Sequence, residues 1–77
     1  MPLFRRKSEA EEMVDQWSAK LDEYRQEIDR LEMKISQNRS LGYEVSQYEQ
    51  LLMQYRQMFQ EARQQRMYWL RIWEAEG

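Results

Sequence analysis

The side chains of this sequence that could take part in chemistry are carboxylates, guanidinium groups and aromatic rings. The chain has 14 acidic and 12 basic residues, three Trp and five Tyr, but no His and no Cys. Zinc sites and most nucleophile–base pairs need His or Cys. The acids are spread over solvated helix positions, and no glycine-rich phosphate loop occurs. We therefore expect no enzyme, no cofactor, no metal site and no small-molecule substrate.

Recognition of a partner is the chemistry that these residue types favour. Residues 66–73 read RMYWLRIW, a stretch that is apolar on nearly every side of a helix yet contains two Arg. Trp, Tyr and Arg dominate the energetics of protein interfaces, and a helix that is apolar all round must be enclosed. The predicted partner-binding residues, all in the second half of the chain, are Leu51, Met58, Met67, Tyr68, Leu70 and Ile72.

Two amphipathic helices must position this surface. Apolar and aromatic residues recur at alternating spacings of three and four, which is the heptad pattern of a coiled coil. The heptad frame slips by three residues near Asn38, Ser40 and Gly42, which are poor helix formers. The predicted seam residues at positions a and d are Val14, Trp17, Leu21, Tyr24, Ile28, Leu31, Ile35, Val45, Tyr48, Leu52, Tyr55, Phe59, Ala62, Arg66, Trp69 and Trp73.

The break in this pattern predicts an all-α fold, an antiparallel two-helix coiled-coil hairpin that forms oligomers. The chain is one domain with a flexible apolar and basic leader at 1–7, helix one at 8–37, a turn at 38–42 and helix two at 43–75. Pairing the helices sets Arg66 over the Trp17 ring as a cation–π contact. The alternative is one long helix that absorbs the frame slip as a stammer near residues 38–42.

Helix two carries more apolar surface than one seam requires. Leu51, Met58 and Ile72 recur at heptad position g, while Met67 lies at b and Leu70 at e. A stripe wider than about 100° indicates a second contact. Met that merely fills gaps beside the seam is the alternative. A small domain without disulfides or metals also needs another source of stability, which oligomerisation supplies. We expect the protein to bind itself or other helical proteins.

The leader suggests a different contact. Leu3 and Phe4 are followed by Arg5, Arg6 and Lys7, an order typical of a shallow membrane contact. A frayed terminus with Phe4 tucked onto the domain is the alternative. No apolar run has the roughly 18 residues of a membrane span, and no signal peptide precedes the helix. The net charge of −2, with no basic face, argues against nucleic acid. We expect a cytoplasmic protein.

Two groups of residues carry a family resemblance: Leu3, Phe4 and Arg6 in the leader, and Val14, Trp17, Ser18, Lys20, Asp29 and Arg30 in helix one. Over residues 3–35 the chain resembles the ESCRT-III (charged multivesicular body) proteins, although helix one is acidic where theirs is typically basic. The resemblance implies a leader that touches membrane and hairpins that stack into filaments. Small secretion-system subunits and chaperones, and small phage structural proteins, share the bare two-helix architecture.

The leading hypothesis from the sequence is a non-enzymatic helical-hairpin subunit or adaptor of a larger protein assembly. It would bind through the second apolar flank and the aromatic C-terminal end of helix two. The competing hypothesis is a membrane-surface protein of the ESCRT-III kind, working through the leader.

Overall fold

Two long helices joined by a short turn make up the protein in a computed structural model that describes residues 7–77. Helix α1 spans Glu9–Ser40 and helix α2 spans Ser46–Glu76. The molecule measures 65 × 23 × 13 Å, so it is one helix thick in its shortest direction. Both broad faces of the helix pair are therefore open along their whole length.

The helices pack side by side and run antiparallel. Arg39 at the end of α1 pairs with Glu49 at the start of α2, whereas Ser18 near the start of α1 bonds Arg66 far along α2. The prediction of an all-α helical hairpin is confirmed. The alternative of one continuous helix is wrong, because the chain reverses direction between the two helices.

The start of α1 follows the capping pattern in the sequence. Ser8 is the N-cap, and its Oγ accepts a hydrogen bond from the Glu11 backbone N–H at 3.1 Å. Glu9, Glu11 and Glu12 occupy the first turn. Their negative charges lie beside the free amide groups of the helix N-terminus, where the helix dipole favours anions.

The end of α1 lies three residues beyond the predicted one. Asn38 and Ser40 prolong the helix because their side chains donate to preceding carbonyls, Nδ2 to Lys34 O at 2.7 Å and Oγ to Gln37 O at 2.8 Å. These bonds keep both residues in the helical conformation instead of releasing them into the turn. The predicted boundary at residue 37 is therefore wrong.

Gly42 closes α1 in the left-handed conformation, with φ of 79°. Its N–H donates to Arg39 O at 3.0 Å, and the Tyr43 N–H donates to Asn38 O at 2.9 Å. This pair of bonds is a Schellman motif, which satisfies carbonyls that the helix end leaves free. The left-handed Gly42 is the last residue of the predicted turn at 38–42, of which Asn38 and Ser40 belong to the helix instead.

The start of α2 also lies later than predicted, at Ser46 rather than residue 43. Glu44 is the reason, because its Oε1 accepts from the backbone N–H groups of Val45 at 3.1 Å and Ser46 at 3.0 Å. Val45 is the N-cap and has no capping side chain of its own. These hydrogen bonds, of which those from Ser46 have the largest effect, hold the pKa of the Glu44 carboxyl below its ordinary value.

The aliphatic core lies in the half of the hairpin nearest the turn. Leu31, Ile35, Val45 and Leu52 form one buried cluster, and Leu31 is completely buried. The remaining members of the cluster are half-buried and pack against it: Ile28, Tyr48 and Tyr55. The seam residues predicted for this half all fall within the one cluster. Each fully buried side chain of this size stabilises the fold by roughly 1.5–3 kcal/mol.

Candidate partner-binding surfaces

The predicted seam lies almost entirely between the helices. Along both helices its side chains are buried or half-buried, and Trp73, near the end of α2, is its one exposed member at 38%. The enclosed members are Val14, Trp17, Leu21, Tyr24, Ile28, Leu31, Ile35, Val45, Tyr48, Leu52, Tyr55, Phe59, Ala62, Arg66 and Trp69. These residues hold the hairpin closed, so a partner must bind elsewhere.

One broad face of the hairpin is polar and carries ion pairs. Arg39 pairs with Glu49 at 3.4 Å, and Glu32 pairs with Arg56 at 3.2 Å. All four residues occupy heptad position e, and e meets e across an antiparallel seam, so we call this side the e face. The side chains are exposed, and such pairs contribute about 0.2–1 kcal/mol each.

The opposite side, where position g of both helices meets, is the g face, and it contains much of the predicted second flank. Leu51, Met58 and Ile72 lie at g on α2, with Tyr68 at the neighbouring position c. Leu51 and Met58 are 42% and 38% exposed, and Ile72 is half-buried. The residues that α1 places at g are Met13, Lys20, Glu27 and Lys34. The g face is thus apolar on α2 and amphipathic on α1.

Two of the predicted partner-binding residues point away from the g face. Met67 lies at heptad position b and Leu70 at e, which is the side of α2 that borders the e face. Met67 is 49% exposed and Leu70 is half-buried. What the sequence presented as one flank is therefore two surfaces, because positions g and e lie on opposite sides of the seam.

The aromatic end of α2 remains open in the hairpin. The rings of Tyr68 and Trp69 meet edge to face, with centroids 5.2 Å apart, and Tyr68 is 58% exposed. A shallow depression of about 670 Å³ crosses the outer surface of α2 here, and Met67, Arg71 and Ile72 help to line it. The segment predicted to need an enclosing neighbour is not enclosed by the rest of the described chain.

Arg66 occupies its predicted place in the seam but makes a different contact. The sequence suggested a cation–π contact with Trp17. In the structure the Arg66 Nε donates a hydrogen bond to Ser18 Oγ on α1, at 2.8 Å. The half-buried guanidinium therefore has a neutral hydroxyl partner across the seam.

Trp17 has a buried polar atom without a partner. Its indole Nε1 finds no hydrogen-bond acceptor among residues 7–77. A depression of about 340 Å³ adjoins the ring and is lined by Met13, Gln16 and Lys20, on the g-face side of α1. A buried donor without an acceptor costs about 1–3 kcal/mol.

The predicted membrane-contact residues are described only in part. Leu3, Phe4, Arg5 and Arg6 lie outside the described residues. The ammonium of Lys7 bonds the Asp15 carboxylate at 2.6 Å, and that bond raises the pKa of Lys7 above its ordinary value. The cation nearest the helix is thus paired with an acid of α1. Within residues 7–77, neither helix offers a stretch of the length and apolarity that crossing a bilayer requires.

The described residues contain no group of three or more acids that could hold a metal ion. Comparison with protein-family models, curated proteins and solved structures finds no match to this chain. The similarity to ESCRT-III proteins stays a prediction, and the surfaces described above carry the argument about function.

Proposed function

We propose that the protein is a non-enzymatic helical-hairpin subunit or adaptor of a larger cytoplasmic assembly, and that it binds through the g face and the aromatic end of α2. The observation that carries this proposal is the exposure of Leu51, Met58, Met67 and Tyr68 on a helix whose seam is already filled. These side chains are not needed to close the hairpin. Each one that a partner buries fully would contribute roughly 1.5–3 kcal/mol to association.

The g face has the composition of a protein interface. Leu51 and Met58 form its exposed apolar centre. Around them lie Lys34 and the ion pair between Glu27 and Arg30, which provide a polar margin. An apolar centre with a polar rim is the usual anatomy of a surface that binds another protein.

Charge indicates that the first partner to consider is a second copy, docked along α2. Within Glu9–Ser40, α1 has nine acidic and five basic residues, whereas α2 has four of each within Ser46–Glu76. Two copies that met through α1 would bring two acidic helices together. Two copies that met through α2 would join uncharged apolar side chains.

Sedimentation velocity over a range of concentrations tests this proposal. We expect wild-type protein to form dimers or larger oligomers, and the variant Leu51→Glu/Met58→Glu to remain monomeric because it buries charge in the contact. Circular dichroism should show unchanged helicity, since both positions lie outside the seam. The matched control is Met33→Glu, which places a charge at an exposed Met on the outer side of α1.

A wild-type protein that stays monomeric at every concentration would contradict self-association through α2. Loss of oligomers in the Met33→Glu control would contradict it as well, because that change leaves the g face intact. A heterologous helical partner would instead be indicated by a monomeric wild type whose purified complex with that partner is broken by Leu51→Glu/Met58→Glu.

A further inference from the structure

The series of opposite charges that face each other on the e face ends two heptads beyond the pair nearest the turn. Nearest the turn Arg39 pairs with Glu49, and one heptad on Glu32 pairs with Arg56. The next facing positions are Arg25 on α1 and Arg63 on α2, and both line one groove between the helices. Two like charges at facing e positions destabilise a coiled coil. The hairpin therefore has two like charges at these facing positions, whereas the two preceding pairs of facing positions have opposite charges.

A third guanidinium enters the same groove. Arg66 lines it from seam position a, and its Nε is fixed by the Ser18 hydroxyl at 2.8 Å. That bond uses one of five guanidinium donors and orients the rest. Within residues 7–77, none of Arg25, Arg63 and Arg66 has a carboxylate within 4.0 Å.

The remaining walls leave the groove positively charged. Asp22 is the one acid that lines it, against three arginines, and Leu21 and Phe59 supply an apolar floor. Low-polarity walls strengthen the interaction of the arginines with an anion, because they keep part of its surroundings free of water. The groove holds about 550 Å³, which leaves room for a group larger than a single inorganic ion.

We propose that this groove is an oxyanion site for a phosphate group, either free or carried on a monoester. Guanidinium groups bind phosphate through paired, charge-assisted hydrogen bonds, and three of them converge here from two helices. A bound phosphate would convert the repulsion between Arg25 and Arg63 into two favourable contacts. The site lies on the e face, so it is separate from the association proposed for the g face.

Thermal unfolding with two probes tests the site, one probe being inorganic phosphate and the other O-phosphoserine. We expect each phosphate to raise the Tm of wild-type protein in a saturable way, above the effect of sodium chloride at equal ionic strength. The better binder identifies the free or the esterified source. The variant Arg25→Gln/Arg63→Gln should weaken the apparent phosphate affinity about tenfold or more, since each charge-assisted bond contributes more than a neutral one.

The same variant has a second readout that does not depend on a ligand. Without phosphate its Tm should lie above that of wild type, because removing two like charges relieves their repulsion. The control Arg39→Gln, an exposed arginine of the e face that lies outside the groove, should respond to phosphate as wild type does. A wild-type response that chloride reproduces, or one that survives in Arg25→Gln/Arg63→Gln, would overturn the proposal.

Discussion

The half of the hairpin near the turn and the half at its open end are packed with different kinds of side chain. Near the turn, Leu31, Ile35 and Leu52 fill the seam with aliphatic side chains. Toward the open end the completely buried residues are small, Ala10 and Ala62. The turn half also has both ion pairs that cross between the helices and the Schellman closure, whereas the open half has the aromatic segment and the arginine groove.

This difference identifies the half that closes the hairpin, whereas the surfaces proposed for a partner extend along both halves, from Leu51 beside the turn-half core to the aromatic end. Aliphatic layers and a rigid turn are local and sufficient to bring the helices together. Trp73, Tyr68 and Met67 at the open end are instead large side chains left exposed, next to small buried ones.

The largest effect should come from removing the centre of the turn half. Leu31→Ala deletes a completely buried side chain and should lower the free energy of unfolding by about 3 kcal/mol. Leu70→Ala, the same change at a half-buried position of the open half, should cost clearly less. Urea denaturation followed by circular dichroism, at one protein concentration, measures both. Equal losses would mean that the two halves contribute alike.

Gly42→Ala should have the next largest effect. At φ of 79° any residue with a Cβ is strained, although the space around Gly42 is open, so the cost of about 1–2 kcal/mol arises from the backbone alone. Gly77→Ala is the matched control, since this terminal glycine has no such conformation. A Tm for Gly42→Ala equal to that of the control would show that the turn does not need the left-handed closure.

A smaller gain is expected from extending the ion pairs into the open half. Arg63→Glu places an acid opposite Arg25, in the arrangement already seen for Arg39 and Glu49. The free energy of unfolding should rise by about 0.5 kcal/mol at low salt, and the gain should shrink as salt screens the pair. Arg71→Glu, which faces solvent, is the control. A loss of stability in Arg63→Glu would show that the arginines of the groove do not repel one another.

The smallest effect concerns the pH dependence of the turn half. Amide groups at the start of α2 hold the pKa of Glu44 below its ordinary value of 4.5, so the folded state favours the charged form. Its contribution to stability is complete above that value and is lost as the pH falls through the lowered pKa. The Tm difference between wild type and Glu44→Gln should therefore be present at pH 7 and shrink below pH 4.5. A difference that stays constant with pH would exclude this role.

The seam and the pairing direction could be predicted from the sequence because both depend on a regular period. Alternating spacings of three and four specify one apolar stripe per helix. The slip of the heptad frame near Gly42 marks the place where the chain reverses direction. The helix ends could not be placed, because single side chains decide them. Asn38 and Ser40 extend α1 through bonds to carbonyls, and Glu44 delays α2 by accepting from its first amides.

For the candidate binding surfaces, the sequence predicted which residues are apolar but not how those residues are arranged around the helices. The sequence identified Met67 and Leu70 as members of one flank with Leu51, yet heptad geometry places them on another side of α2. It also missed Arg25 and Arg63, since two arginines far apart in the chain have no visible relation until the register is known. With the register fixed, like charges at facing e positions are the signal that reveals them.

The central claim, association through the g face of α2, is tested most directly by methyl NMR of protein labelled at its methionines. The described methionines are internal reporters because they lie on different sides: Met58 and Met13 at position g, Met33 on the outer side of α1 and Met53 at position b of α2. Spectra recorded across a dilution series should show the Met58 and Met13 signals moving with concentration, while the Met33 and Met53 signals stay fixed. Signals that never move, or movement of Met33 and Met53 without Met58, would contradict the account.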